Sequence, residues 1–194
     1  MGEFEKGILL INKIEKEIEQ FKGKINKAKE IVLYHCFVVS YFGVGNYHKS
    51  LFWSNKILND TGLQLRQDLH SAARMVNLIV HFELGNQELL ESLVKSAYRF
   101  LYKGSRLYKF EIYILNFIKN KLPNIVTGQD QINIFQELKT AIIEVSKDPF
   151  EKEVLDYFDF ISWLQRKIED RPFAEIVKEK ARPNESSVGK TRIG

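Results

Sequence analysis

Tyr41-Phe42-Gly43-Val44-Gly45-Asn46-Tyr47 and, forty residues later, His81-Phe82-Glu83-Leu84-Gly85-Asn86-Gln87 are the two stretches on which the fold turns. Each sets a Gly-Asn pair between two runs of helical spacing. A glycine tolerates the left-handed backbone that ends a helix, and an asparagine accepts hydrogen bonds from the first turn of the next. Upstream of the first pair, residues 25–44 are rich in Ile, Val, Tyr and Phe. The run is too long for a strand, so a buried helix is expected. Downstream, Tyr47, Leu51, Ser54, Ile57 and Leu58 share one helical face as far as Asn59-Asp60-Thr61-Gly62. Around the second pair, Leu65, Leu69, Ala72, Ala73, Val76, Val80 and Leu84 outline one helix, and Leu90, Val94, Ala97 and Leu101 its partner, ending near Gly104. A fixed period with this layout is the signature of a repeated helical hairpin.

Outward from this centre the spacing stays helical. Ile8, Ile11, Ile14, Ile18, Phe21 and Ile25 form a narrow stripe among Lys and Glu, an amphipathic helix that Gly23 ends or kinks. It is expected to pack on the rest of the fold; the alternative is a coiled-coil dimer contact, for which few heptads are present. Leu107, Phe110, Ile114, Phe117 and Ile118 predict another helix, ended by Pro123, with Gly128 in the loop that follows. Ile132, Phe135, Leu138, Ile142 and Val145 predict the next. Asp148-Pro149-Phe150-Glu151 reads as a helix start, with Asp as cap, Pro at the first position and Glu able to reach back. Val154, Phe158, Ile161, Leu164 and Ile168 continue that helix, and Pro172 begins a last short one. The expected class is all-α: antiparallel helix hairpins stacked as a short right-handed solenoid or a helical bundle. One domain is expected over 1–180, with a loose tail over 181–194.

Hydrophobic residues make up 44% and charged residues 28% of the 194, a globular balance with ample core material. The net charge of +4 demands no nucleic acid. Its distribution is uneven: seven bases face one acid, Glu111, over 95–121, whereas ten acids face five bases over 122–170. The single cysteine, Cys36, rules out an internal disulfide and is expected as a buried thiol. The apolar stretch 8–11 is too short for a signal peptide, and the longest apolar run, 31–44, falls short of a membrane span. A cytoplasmic location without membrane contact is expected.

The segment from Tyr34 to Asp60 resembles a tetratricopeptide repeat. Tyr34 matches the first aromatic of that motif, Tyr41 the mid-helix tyrosine, Gly45-Asn46-Tyr47 the turn, Leu58 an apolar position of helix B, and Ser50 its small alanine. Val38 stands in place of the helix A glycine, Ser54 in place of an aromatic, and no proline ends the unit. The second copy keeps Gly85-Asn86 and Ala97 but has Gln87 for the tyrosine and Leu90 for the small residue. The resemblance spans about eighty residues. It implies a right-handed stack of hairpins that binds a peptide or protein in a groove lined by helix A of each pair, here His35, Val39, Phe42, Met75, Ile79 and Phe82. The Lys/Asn set that clamps a C-terminal carboxylate in some relatives is absent. The apolar groove either holds a partner or is filled by the chain's own first helix.

Signatures of other chemistry are weak. Gly189-Lys190-Thr191 lacks both the earlier glycine and the following helix of a phosphate loop. His70 and His81 lie three helical turns apart, too far for one metal, and are expected solvated or locally hydrogen-bonded. Asp156 and Asp159 beside Glu153 are read as a wet face. No nucleophile sits beside a base in a recognisable motif, and no cofactor or metal is expected. The segment 98–110 stands out because Tyr98, Arg99, Tyr102, Lys103, Arg106, Tyr108 and Lys109 interleave aromatics with bases. Such a surface fits three roles: core aromatics ringed by snorkelling bases, a dock for an acidic protein, or a stacking platform for single-stranded nucleic acid. The expected function is a non-enzymatic protein- or peptide-interaction module, a scaffold or regulator; the alternative is a nucleic-acid-associated regulator using 98–110. Homo-oligomerisation is left open.

Overall fold

The computed structural model describes residues 2–21, 23–60, 65–103 and 108–182. Among these residues the chain is all-helical, without strands. The order is α1 (Phe4–Gln20), α2 (Lys27–Gly43), α3 (Tyr47–Leu58), α4 (Gln67–Glu83), α5 (Gln87–Lys103), α6 (Lys109–Asn116), α7 (Gly128–Val145), α8 (Pro149–Leu155), α9 (Phe160–Glu169) and α10 (Phe173–Ala181). A π-helical turn (Phe117–Lys121) and a 3-10 turn (Leu122–Asn124) join α6 to α7.

Both Gly-Asn turns close in the same way. Gly45 and Gly85 are left-handed, at φ 74° and 72°. The Asn46 amide donates to the Tyr41 carbonyl and the Gly45 amide to that of Phe42, both at 2.9 Å; Asn86 to His81 and Gly85 to Phe82 repeat this at 3.0 Å. These are the paired bonds of a Schellman cap. Asn46 then caps α3 by accepting from the Lys49 amide at 3.1 Å. As a result α4 begins forty residues after α2, both are 17 residues long, and α5 begins forty residues after α3. Inside the hairpins, Ser50 is fully buried and donates to the Val38 carbonyl at 2.9 Å, so α2 and α3 approach closely. Asn77 on α4 donates to Ser54 Oγ at 2.9 Å and ties α3 to α4.

α1 is fastened by one carboxylate. Glu15 accepts from the Tyr41 hydroxyl at 2.7 Å and from the Trp53 indole at 3.2 Å, binding α1 to both helices of the first hairpin. Its N-terminal end meets α10: the Phe4 and Phe173 rings lie 5.8 Å apart.

Two stretches depart from the expected helices, for local reasons. The predicted helix over 149–168 is broken into α8 and α9, because Asp159 accepts from the Ser162 amide at 3.0 Å and starts a new helix there. Asp159 also pairs with Lys180 at 2.9 Å, so it is a structural cap rather than part of a wet face. Gly128, expected in a loop, is the first residue of α7, because Thr127 and Asp130 form a capping box ahead of it. Glu151 does not reach back within its own helix. It is buried and accepts from the Lys109 amide at 2.9 Å and the Phe110 amide at 3.3 Å, capping α6 from across the fold. Cys36 is exposed, not buried; desolvation still pushes its thiol above the ordinary range. His70 and His81 are buried rather than solvated, His81 bonding Asn86 at 3.1 Å. Both the phosphate-loop fragment, residues 189–191, and most of the tail lie outside the described residues.

Candidate functional site

The helix A groove is filled by the chain itself, and the filler is the C-terminal third rather than α1. Phe42, fully buried, meets Phe158 edge-on at 4.9 Å and Phe173 at 5.2 Å. His35 Nε2 donates to the Tyr157 carbonyl at 2.9 Å, which fixes the tautomer and leaves Nδ1 buried without a partner. Tyr157 in turn donates to Asp68 at the start of α4. Phe82 packs against Phe135 at 6.0 Å and Trp163 at 6.3 Å. The Trp163 indole donates to Glu83 at 2.8 Å and Arg166 pairs with the same carboxylate at 2.9 Å. Met75 and Ile79 are fully buried, and Val39 is half-buried. His35, Phe42 and Phe82 therefore belong to the interface between the hairpins and the C-terminal third, and Met75 and Ile79 belong to the core. A pattern of helix A positions identifies an apolar face without saying which segment covers it.

An open cleft lies further along. It encloses about 630 Å³ between α5, the π turn and the start of α7. Its floor is apolar, with Phe82, Leu90, Val94, Ile118, Leu122 and Ile125; Gln87, Glu91, Lys119, Asn120 and Gln131 stand at its polar positions. Of the six predicted groove residues, only Phe82 reaches it. The π turn shapes the cleft and has a cause in the sequence. Pro123 has no amide to donate to the Lys119 carbonyl, and its ring would press on that carbonyl in a regular helix. The regular helix stops before Pro123, and in the last turn ahead of it the Leu122 amide donates five residues back, to Phe117, rather than four back, to Ile118, which widens the turn. A smaller hollow of about 270 Å³ lies between the π turn and α7, and Asn120 borders both. Pro123 is legible in the sequence as a helix stop; the wide turn is not, because it depends on which side of α6 the later helices pack.

One acid and one base, Glu91 and Lys119, line the cleft. Glu91 is held as an ordinary carboxylate, its pKa lowered by the hydrogen bond and charge of Lys95, 2.6 Å away. Arg99, Lys103 and Lys109 are exposed, Tyr98 packs against the core, and Tyr108 stacks on Phe150 at 4.9 Å. Tyr102 is 81% exposed. Arg106 lies outside the described residues. The basic-aromatic segment is thus divided: Tyr98 and Tyr108 serve packing, whereas Arg99, Tyr102, Lys103 and Lys109 face solvent.

The most perturbed carboxylate lies elsewhere. Glu111 is fully buried at the N-terminus of α6, accepts from the Tyr108 amide at 3.1 Å, and leaves Oε1 without a partner. Burial, and to a lesser degree the charge of Glu151, push its pKa up to about 7. Among the described residues no group of three or more His, Cys, Asp or Glu is placed to hold a metal, and no helix is long and apolar enough to cross a membrane.

No protein-family model, curated protein or solved structure matches the chain.

Proposed function

We propose that the chain is a non-enzymatic interaction module of the helical-repeat type, which takes apolar side chains of an acidic protein segment into the cleft between α5 and the π turn. The observation that carries this reading is the cleft itself, apolar in its floor and ringed by amides and single charges. Lys119 lines it, and the elements that form it carry further exposed bases outside the lining: Lys95, Arg99 and Lys103 on α5 and Lys121 on the π turn. Lys95 and Lys121 have carboxylate partners, Glu91 and Glu137. Arg99, Lys103 and Lys119 are the charges that would steer an acidic partner, an effect on association rate more than on final affinity.

The anionic apolar dye 1-anilinonaphthalene-8-sulfonate tests this reading. It should bind the native protein with enhanced fluorescence, and Ile125→Arg, a change at a half-buried loop position in the cleft, should remove that binding while far-UV dichroism is unchanged. Equal dye binding by the variant would reject the cleft as the apolar site.

Tyr102, 81% exposed between Arg99 and Lys103, supports a second reading in which single-stranded nucleic acid stacks on this face. The two separate on salt. Phosphate contacts make nucleic-acid binding fall steeply as salt rises, whereas burial of apolar groups in the cleft barely changes.

A further inference from the structure

Arg74 on α4 is a guanidinium in an unusual position. Its carbon lies 3.6 Å from the centre of the Phe100 ring on α5, a cation–π contact that uses none of its N–H donors as hydrogen bonds to an acceptor oxygen. Nη1 is shut off from solvent and has no hydrogen-bond partner. No carboxylate pairs with Arg74 among the described residues, and burial holds its pKa below the ordinary value. One helical turn earlier, His70 is fully buried, and neither ring nitrogen has a partner. Positions four apart on a helix share a face, and the Arg74 charge, after burial, helps keep His70 neutral. The nearby acids are already engaged: Asp68 with Arg66 at 2.7 Å and with Tyr157, and Asp60 with Lys27 at 2.6 Å.

In the first hairpin the position equivalent to Arg74 is Tyr34, whose ring packs on Trp53 at 5.0 Å and whose hydroxyl donates to Glu30 at 2.5 Å. There the buried polar atom has its partner within the chain. In the second hairpin three donor or acceptor atoms, Arg74 Nη1 and both His70 nitrogens, have none. Buried polar groups are satisfied in native proteins, and an unpaired buried cation is costly.

We propose that Arg74 and His70, beneath the Phe100 ring, form a receptor for a carboxylate, supplied by an acidic side chain of the protein partner. One guanidinium charge and one neutral imidazole match a monoanion better than a phosphate dianion. Arg74 is half-buried as a whole, whereas Nη1 and both His70 nitrogens are closed off, so the carboxylate reaches them only as the side chains covering this face, beside α5, move aside. The source of the carboxylate rests on the interaction-module reading; the receptor itself does not.

The four histidines, His35, His48, His70 and His81, give a ring spectrum simple enough to read directly by NMR. His70→Gln assigns the relevant signal. Sodium acetate is titrated against sodium chloride at matched ionic strength, with sodium phosphate as a third arm. The expected result is a saturable shift of the His70 signal in acetate, absent in Arg74→Gln and kept in Ile125→Arg, so that the receptor and the cleft stand or fall separately. If Arg74→Gln does not fold, Arg74→Lys serves: it keeps the charge but loses the fork, and should weaken the acetate response about tenfold. A His70 signal that moves no further in acetate than in chloride, moves equally in the Arg74 variants, or responds to phosphate alone overturns the proposal.

Discussion

Phe42 and Phe158 meet edge to face at 4.9 Å, although 116 positions separate them in the chain, and both are buried. This contact joins the first hairpin to the turn between α8 and α9 and seals the face that a repeat protein would offer to a peptide. Phe158→Ala removes a ring packed by Phe42, Phe160 and Phe173. It should destabilise the protein by about 3–5 kcal/mol, as buried aromatic truncations do. Urea denaturation followed by circular dichroism measures this; a loss under 1 kcal/mol, on the order of a surface substitution, would mean the C-terminal third does not close the groove.

Gly45→Val tests the hairpin caps. The backbone there is left-handed, at φ 74°, and an added Cβ meets nothing within 4 Å, so the cost is conformational strain alone. About 1–2 kcal/mol is expected. Gly85→Val, at φ 72° and also open, should cost a similar amount. Melting temperatures of the two single variants and the double variant report this, with near-additive losses expected because the turns share no partner.

Glu111 makes stability depend on pH in a direction opposite to the usual carboxylate. Its pKa is about 7 in the fold against an ordinary 4.5, so the unfolded chain loses the proton first as pH rises. The fold is therefore disfavoured progressively from about pH 4.5 to 7, by on the order of 3 kcal/mol once above 7. Glu111→Gln keeps an acceptor for the Tyr108 amide and removes the titration. The difference in stability between wild type and this variant, measured by denaturation at several pH values, should grow in favour of the variant across that window and then level off.

Much of this architecture is legible in the residues, and the limits are specific. The Gly45-Asn46 and Gly85-Asn86 turns are local, since the cap needs only a left-handed glycine and the carbonyls a few residues back, so the hairpins follow from sequence. Glu151 shows the opposite case. Its spacing from Asp148 fits a capping box, yet it caps α6 because the fold brings Lys109 and Phe110 to it. His70 reads as a solvated or locally hydrogen-bonded histidine, whereas packing from outside its own helix buries it and leaves both ring nitrogens without a partner. The cleft depends both on Pro123, which is visible in sequence, and on α7 docking beside the π turn, which is not. Phe82, read as a groove residue, lines the cleft for the same reason.

The basic-aromatic face makes its own prediction. Arg99→Glu with Lys103→Glu changes two exposed side chains, so stability should stay within about 0.5 kcal/mol of wild type. Association with an acidic partner should slow by about tenfold at low salt, with little change in dissociation. Stopped-flow or surface-based kinetics at two salt concentrations separate these rates. A melt displaced by several degrees would assign the two bases to the fold.

The most direct test of the central claim is photo-crosslinking in native lysate from a benzoylphenylalanine placed at Gln87, at the edge of the cleft, with the exposed Cys36 of α2 as the control position. Each sample is divided and half is treated with nuclease. A discrete protein adduct is expected from position 87 that survives nuclease, is reduced by Ile125→Arg, and has no counterpart at position 36. Adducts that appear equally at both positions, ignore Ile125→Arg, or vanish with nuclease would contradict it.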